Sequence, residues 1–507
     1  MKGSIRLLAL LVCAALALSG CVLREQEPDA ENALSLPEPS PEAKNQFLGE
    51  RAAARSTSVT LSYANADGAS FSSVTRSLRT EEGESLVDAA VHALLEPSSD
   101  AEAAYFTLGE TRVLSCELAC GIAAVNLSID ARGAQSEQEL LALEASIGNT
   151  LLGLEGVQGV NVLVGGRCMS FCQLPLGVQT REIASVTAAY AQLQADQDQL
   201  RAGTASGLTR GAVLYFPSDA NDGRWLVPEL REITFPGGDF VAGLIEALRK
   251  GPQVERCAAM VLPEGADLLN EPPTRSTLST GEHLVTLNFS STLTNYLAFS
   301  GLSIDELLGS LSLTLLSFLP ETDAVRVEIN GAPIEISETG SFPDGLIHRG
   351  DFADRIGSVA TLYLANAEGR LEPRQRAVSK RSALSARQLL AELFRYANAA
   401  EGPLTFPVAS RVYEDDVLGV QISGDIAQVN LSSDFYLSCQ GLDAGTERCV
   451  VYAMVNTLCT LPNVRAVRFY VEGVAAETLA GTIYLRSPLL PNYGIVAGSP
   501  AEAADAE

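Results

Sequence analysis

Histidine is nearly absent: His92, His283 and His348 are the only three in 507 residues, and they stand in unrelated contexts. That leaves little material for imidazole-based acid–base or metal chemistry. No HExxH, GxSxG, Walker-type or GxGxxG segment occurs, so zincin, serine-hydrolase, P-loop and dinucleotide readings have no motif to start from. Basic runs are missing as well. The chain has 35 Lys and Arg against 62 Asp and Glu, a formal charge of −27. A phosphate-binding face needs a basic patch, so no nucleic-acid partner is expected. Anionic wall polymers and lipid headgroups meet the same repulsion. After the first twenty residues no apolar run is long and uncharged enough to span a bilayer. The nearest, residues 301–319, contains Asp305 and Glu306 and is predicted to be a buried helix.

At the N-terminus, Met1–Arg6 carries two positive charges, residues 7–18 are apolar, and Leu18-Ser19-Gly20-Cys21 follows at once. A basic start, a short apolar core and small residues before a cysteine predict a bacterial lipoprotein signal over 1–20. Cys21 is then the lipidation site and the mature first residue. The protein would sit on the extracytoplasmic face of the cell membrane, anchored rather than threaded through it. Losing Lys2 and Arg6 takes the charge from −27 to −29. Residues 21–57 are rich in Glu, Pro, Ser and Ala, with Pro28, Pro37, Pro39 and Pro41 blocking regular structure. This is a flexible tether with a root-mean-square reach of roughly 30–35 Å. Hydrophobic residues make up 47% of the chain, so the acidity is a solvated surface over real cores.

Beyond the tether one pattern returns three times. Strands opening at Val59, Ala212 and Ala360 start 153 and 148 residues apart. That period is the size of a domain, not of a solenoid repeat. Equivalent strands are expected at Val59–Tyr63, Val213–Phe216 and Thr361–Leu364, with a hairpin turn at Asp222-Gly223. An amphipathic helix follows in each copy, capped by Ser85, Asp239 or Ser385. Then comes a strand ending in Asn126-Leu-Ser128, Asn288-Phe-Ser290 or Asn430-Leu-Ser432. These triplets satisfy the glycosylation sequon, but recurrence at one position argues that the side chains serve the strand end. A second helix carries Thr150-Leu151, Thr314-Leu315 or Thr457-Leu458. An alternating strand closes each copy near Gly165, Gly331 or Gly473.

The expected divisions are a tether over 21–57, domains over 58–172, 211–333 and 359–496, linkers over 173–210 and 334–358, and an acidic tail over 497–507. Within the first linker, 184–200 reads as a helical spacer. The fold class is α+β: three tandem two-layer domains, each a small mixed sheet covered by two helices.

Of ten cysteines, Cys13 leaves with the signal and Cys21 takes lipid. Outside the cytoplasm the rest can oxidise, which favours disulfides among Cys116, Cys120, Cys168 and Cys172, and between Cys439 and Cys449. Connectivity stays open, and a four-cysteine zinc site fits the spacing of the first group, though no His joins it. Cys257 and Cys459 read as buried single thiols. Asp219, Asn221 and Asp222 hint at a calcium loop, but no bidentate Glu stands where one belongs, so the stretch is a hairpin turn. No metal, cofactor or catalytic residue is expected.

The ordered pattern resembles the GerMN domain family of sporulation and germination lipoproteins. In the middle copy the resemblance lies in Leu214-Tyr215-Phe216, Leu226-Val227-Pro228, Arg231, Gly251-Pro252, Leu262–Gly265, Leu287–Ser290 and Val325–Gly331. In the third it lies in Leu362-Tyr363, Leu371, Pro373, Arg374, Val429–Ser432 and Val464–Gly473. The first copy departs most, ending its helix in Glu96-Pro97 where the family has Gly-Pro. The resemblance implies a non-enzymatic module similar to ring-building domains: a scaffold or adaptor for envelope or sporulation proteins, with self-assembly among its options. The alternative is a cell-wall-active hydrolase or small-molecule-binding lipoprotein, which would need a deep carboxylate-lined pocket in one copy alone.

Overall fold

The computed structural model describes residues 55–498 apart from 81–84, 97–103, 105, 107–108, 205, 219–224, 254–258, 381, 384, 399–406 and 409–411. The signal segment, Cys21, the tether before 55, the Asp222-Gly223 turn, Cys257 and the tail from 499 lie outside the described residues.

One order of elements appears three times. The first unit opens with the antiparallel pair β1 (Arg55–Ala64) and β2 (Phe71–Thr80), followed by helix α1 (Leu86–Leu95). Strands β3 (Val113–Ala119) and β4 (Ile122–Leu127), helix α2 (Glu137–Leu152) and strand β5 (Gly159–Val164) complete it. Between units stand the small pair β6 (Ser170–Phe171) and β7 (Leu174–Pro175) and helix α3 (Val186–Arg201). The second unit runs β8 (Leu208–Pro217), β9 (Leu226–Phe235), α4 (Phe240–Arg249), β10 (Thr274–Thr277) and β11 (His283–Phe289). It continues with α5 (Thr292–Ser300), α6 (Ile304–Leu316), β12 (Ala324–Ile329) and β13 (Ala332–Pro333). Strand β14 (Leu346–His348) and the short α7 (Gly350–Ala353) lead to the third unit. That unit has β15 (Gly357–Ala365), β16 (Leu371–Ser379), α8 (Ala386–Asn398), β17 (Val417–Ser423) and β18 (Ile426–Leu431), then α9 (Ser433–Ser438), α10 (Ala444–Leu458), β19 (Ala466–Val471) and β20 (Val474–Ala475).

The fold is α+β with mixed sheets. Strand β4 pairs antiparallel with β3 and parallel with β5; β11 and β18 do the same with their neighbours. A parallel pair needs a crossover, which α2, α6 and α10 supply. Each begins on a side chain that accepts a first-turn N–H: Ser136, Ser303 (with Glu306 completing a capping box) and Asp443. The apolar stretch before Leu316 is indeed buried, with twelve residues of α6 out of solvent. Among the described residues no helix is long and apolar enough to cross a membrane.

The opening hairpin is a two-stranded ribbon of its own in every unit, not part of the mixed sheet. The recurrent threonine explains how its edge is satisfied. Thr150, Thr314 and Thr457 each accept a hydrogen bond through Oγ1 from the backbone N–H of Ser62, Tyr215 and Tyr363, at 2.9, 3.1 and 3.0 Å. A hydroxyl on the crossover helix thus stands in for a missing neighbouring strand. Ser146 adds a bond from the Ala64 N–H. Buried donors left unmet would cost about 1–3 kcal/mol each.

The second hairpin strand carries an arginine back to the end of the following helix. Arg76 donates to the Ala93 carbonyl at 2.8 Å, and Arg231 to those of Ala247 and Gly251 at 3.0 Å. Positive charge there complements the helix dipole. Register places Arg76, Arg231 and Arg376 opposite Val59, Ala212 and Ala360. The third member is therefore Arg376, stacked on Tyr396 at 3.8 Å, and not Arg374, which pairs with Glu372 on the surface.

Units one and two share one apolar core from Val59 to Ile356; unit three has its own, from Ala360 to Leu485. Helix α3 buries Val186 and Leu193 and packs along α2, so it is part of the first body and not a free spacer. The extension after β20 folds back on unit three. Glu447, fully buried, accepts the N–H groups of Leu479, Ala480, Thr482 and Ile483 at 2.7–3.1 Å.

Candidate functional site

The three Asn-x-Ser triplets hold the strand ends to the closing turns. Asn126, Asn288 and Asn430 each accept a bond through Oδ1 from the N–H of Gly166, Gly331 and Gly473, all at 2.8 Å. Those glycines are second in two-residue turns whose positions both have positive φ: Gly165-Gly166, Asn330-Gly331 and Glu472-Gly473. This is the tight hairpin turn that suits twisted strands. The first turn residue donates back to Leu127, Phe289 or Leu431. Backbone N–H groups of Ser128, Ser290 and Ser432 donate to the carbonyls of Arg112, Asp267 and Asp416 at 2.8–2.9 Å. The serine hydroxyls differ: Ser128 donates to Asp130, Ser432 to Asp416, and Ser290 only weakly to Gly265 at 3.5 Å. Every triplet is occupied with backbone work, and its spacing of 40 to 43 residues from the turn glycine was the signal available in sequence.

The sequence favours disulfides among Cys116, Cys120, Cys168 and Cys172, and between Cys439 and Cys449; no disulfide joins any two of the seven cysteines among the described residues. The fold disperses the first group. Cys120 packs with Trp225, Val227 and Ala377 beside the third unit, Cys168 lies against Leu316 and Pro320 of the second, and Cys116 and Cys172 pack at the rim of the shared core. No group of three or more potential metal ligands occurs among the described residues. Cys439 and Cys449 are both core residues of unit three, and the Cys449 thiol donates to the Gly369 carbonyl at 3.1 Å. Burial pushes the Cys168 and Cys439 thiols up to about 12 and Cys459 to about 11, which keeps them protonated and unreactive.

Polar contacts mark the seams between units. Between one and two, Asn161 donates to the Ser317 carbonyl at 3.0 Å, Arg132 pairs with Glu321 at 2.6 Å and Arg167 with Asp323 at 3.1 Å. Glu144 of α2 is fully buried, its Oε1 has no hydrogen-bond partner, and burial pushes its carboxyl up to about 8. Unit three meets the others through the Cys120 N–H on Ser358 Oγ and Lys380 with Glu117 at 2.6 Å.

The concavities are shallow in chemistry. One of about 580 Å³ lies between β9 and α4 and holds three carboxylates. Asp239 caps α4, Glu246 pairs with Arg249 and Glu232 faces Arg181. A second of about 310 Å³ follows the exposed strand β10. The sheet edges are blunted: β3 and β17 carry a bulge at Leu114 and Leu418, and β10 is four residues long. Bulges and short edges discourage strand addition.

The family model described as Germane, sporulation and spore germination, matches residues 60–169, 213–335 and 361–477. Among solved structures, the tandem GerMN domains of the sporulation protein GerM from Bacillus subtilis are 18% identical, covering 58% of this chain and all of theirs, with a TM-score of 0.23. A lipoprotein from Clostridium perfringens is 17% identical over 26% of this chain and 87% of its own, with a TM-score of 0.19. No curated protein matches.

Proposed function

Because the chain belongs to the Germane family of sporulation and spore germination, we propose that it is a non-enzymatic, lipid-anchored scaffold or adaptor. It stands on the extracytoplasmic face of the cell membrane and helps assemble envelope complexes during spore formation or germination. The observation that carries this reading is what recurs. Three units repeat a threonine hydroxyl on a hairpin N–H and an asparagine on a turn glycine, and they repeat no reactive group among the described residues. Divergent copies of an ancestral active site would keep polar groups at matching, open positions; these copies keep side-chain ties to the backbone. The formal charge of −27 adds that self-association meets like-charge repulsion and strengthens with salt, whereas a basic partner binds best at low salt.

Cys21→Ala tests the anchor: the variant is expected in the soluble extracytoplasmic fraction, and continued membrane retention would show another attachment. Affinity capture from sporulating and vegetative cells tests the role. Specific partners restricted to sporulating cells support it, and a vegetative-only set overturns it.

A further inference from the structure

Helix α5 differs from the crossover helices in what it shows to solvent. Thr292, Thr294, Asn295, Ala298, Phe299 and Ser300 are exposed, and only Leu293 is buried. Phe299 is 90% exposed, the most open large apolar side chain among the described residues. One helical turn before it, the Tyr296 hydroxyl donates to the carbonyl of Met260 at 3.2 Å, and Met260 is itself 47% exposed. The other units project less at this place: Leu437 is 64% exposed and Ile129 49%, against 90% for Phe299. Unit three has the six-residue α9, whose Phe435 is buried, and unit one has a single 3-10 turn over Ile129–Gly133. Charge is absent too: in a chain of −27, residues 284–304 contain no Asp, Glu, Lys or Arg.

We propose that α5 is a membrane-contact wedge, with Phe299 and Met260 seated at the headgroup boundary of the bilayer that holds Cys21. This rests on the reading of Cys21 as lipidated. A second copy of the chain is the poorer occupant. Two apolar side chains fall far short of the roughly 800 Å² per partner that a standard interface buries, and like charge opposes the approach. A bilayer asks for less. Aromatic side chains favour the membrane–water interface, and an uncharged helix avoids the repulsion that the acidic remainder meets there. Residues 22–54 number 33, at most about 110–120 Å of chain. That is about twice the width of a globule of this length, roughly 60 Å from its expected radius of gyration. The tether therefore lets any face reach the surface, and it keeps a weak contact at high effective concentration.

The test uses full-length lipidated protein with Phe299→Trp in phosphatidylcholine vesicles carrying bromine on the acyl chains. Wild type, whose single Trp225 is buried, supplies the baseline. Cosedimentation reads the anchor, and quenching reads the wedge. Expected are cosedimentation, a blue shift of the added indole emission and its quenching, with the quenching lost in the Cys21→Ala background. Cosedimentation with the added indole red and unquenched overturns the wedge and leaves the anchor standing. Failure to cosediment overturns the anchor and the wedge with it. A blue shift of the added indole in a lipid-free dimer would assign the patch to a second copy instead.

Discussion

Asparagine and glutamate at buried positions carry the sharpest consequences at the scale of single residues. Asn430 is 3% exposed and accepts the Gly473 N–H. Asn430→Ala leaves that donor without its acceptor and opens a small cavity, so a loss of about 2 kcal/mol in unit three is expected on chemical denaturation. Ser290→Ala removes only a 3.5 Å contact and should stay within about 0.5 kcal/mol. Glu144 behaves differently because its carboxyl is buried with Oε1 unbonded, which makes its pKa unusual. Burial raises it from 4.5 to about 8. Its contribution is whole below pH 4.5 and is lost as pH rises through 8, which amounts to roughly 3 kcal/mol by neutral pH. Glu144→Gln should therefore flatten the decline in melting temperature of the first two units over that window and raise stability at pH 8. An unchanged pH slope would show that the carboxyl is solvated.

At the scale of elements, the hairpin depends on the crossover helix more than on its own two strands. An isolated two-stranded ribbon is marginal in water. Here its outer N–H groups are met by Thr150, Thr314 and Thr457. Thr457→Val keeps shape and removes the acceptor. The expected result is a loss of about 1–3 kcal/mol and selective loss of amide-exchange protection at Tyr363, while β18 and β19 keep theirs. Uniform loss of protection would mean that the threonine supports the core rather than the ribbon. The arginine on the second strand is the complementary tie, holding the helix end that the hairpin leads into.

For the whole molecule, the division of cores predicts how it comes apart. Units one and two share a single apolar cluster, whereas unit three has its own and meets them through a small cluster around Trp225 and a few polar contacts. Differential scanning calorimetry should resolve two transitions, the larger from units one and two. Lys380→Ala should separate them further by loosening the seam. A single two-state transition would show that the seam couples all three units.

Much of this was legible in the residues because it is local. The three-fold period, the caps at Ser85, Asp239 and Ser385 and the buried helix around Leu307–Leu316 follow from short-range periodicity and side-chain chemistry. The arginine equivalence was also within reach. Pro228 and Pro373 both pair with the strand-one tyrosine, and the arginine stands three residues beyond each, at Arg231 and Arg376. The sequence by itself determined the repeated unit, its α+β class and its Germane membership, since each rests on short-range patterns that recur from copy to copy. Only the tertiary structure decided that two units fuse into one core while the third keeps its own, that Cys116, Cys120, Cys168 and Cys172 are dispersed between the rim of the shared core and the seams, and that Phe299 is left outside. Those outcomes depend on which faces meet across more than a hundred residues, and a pattern of neighbours along the chain carries no record of that.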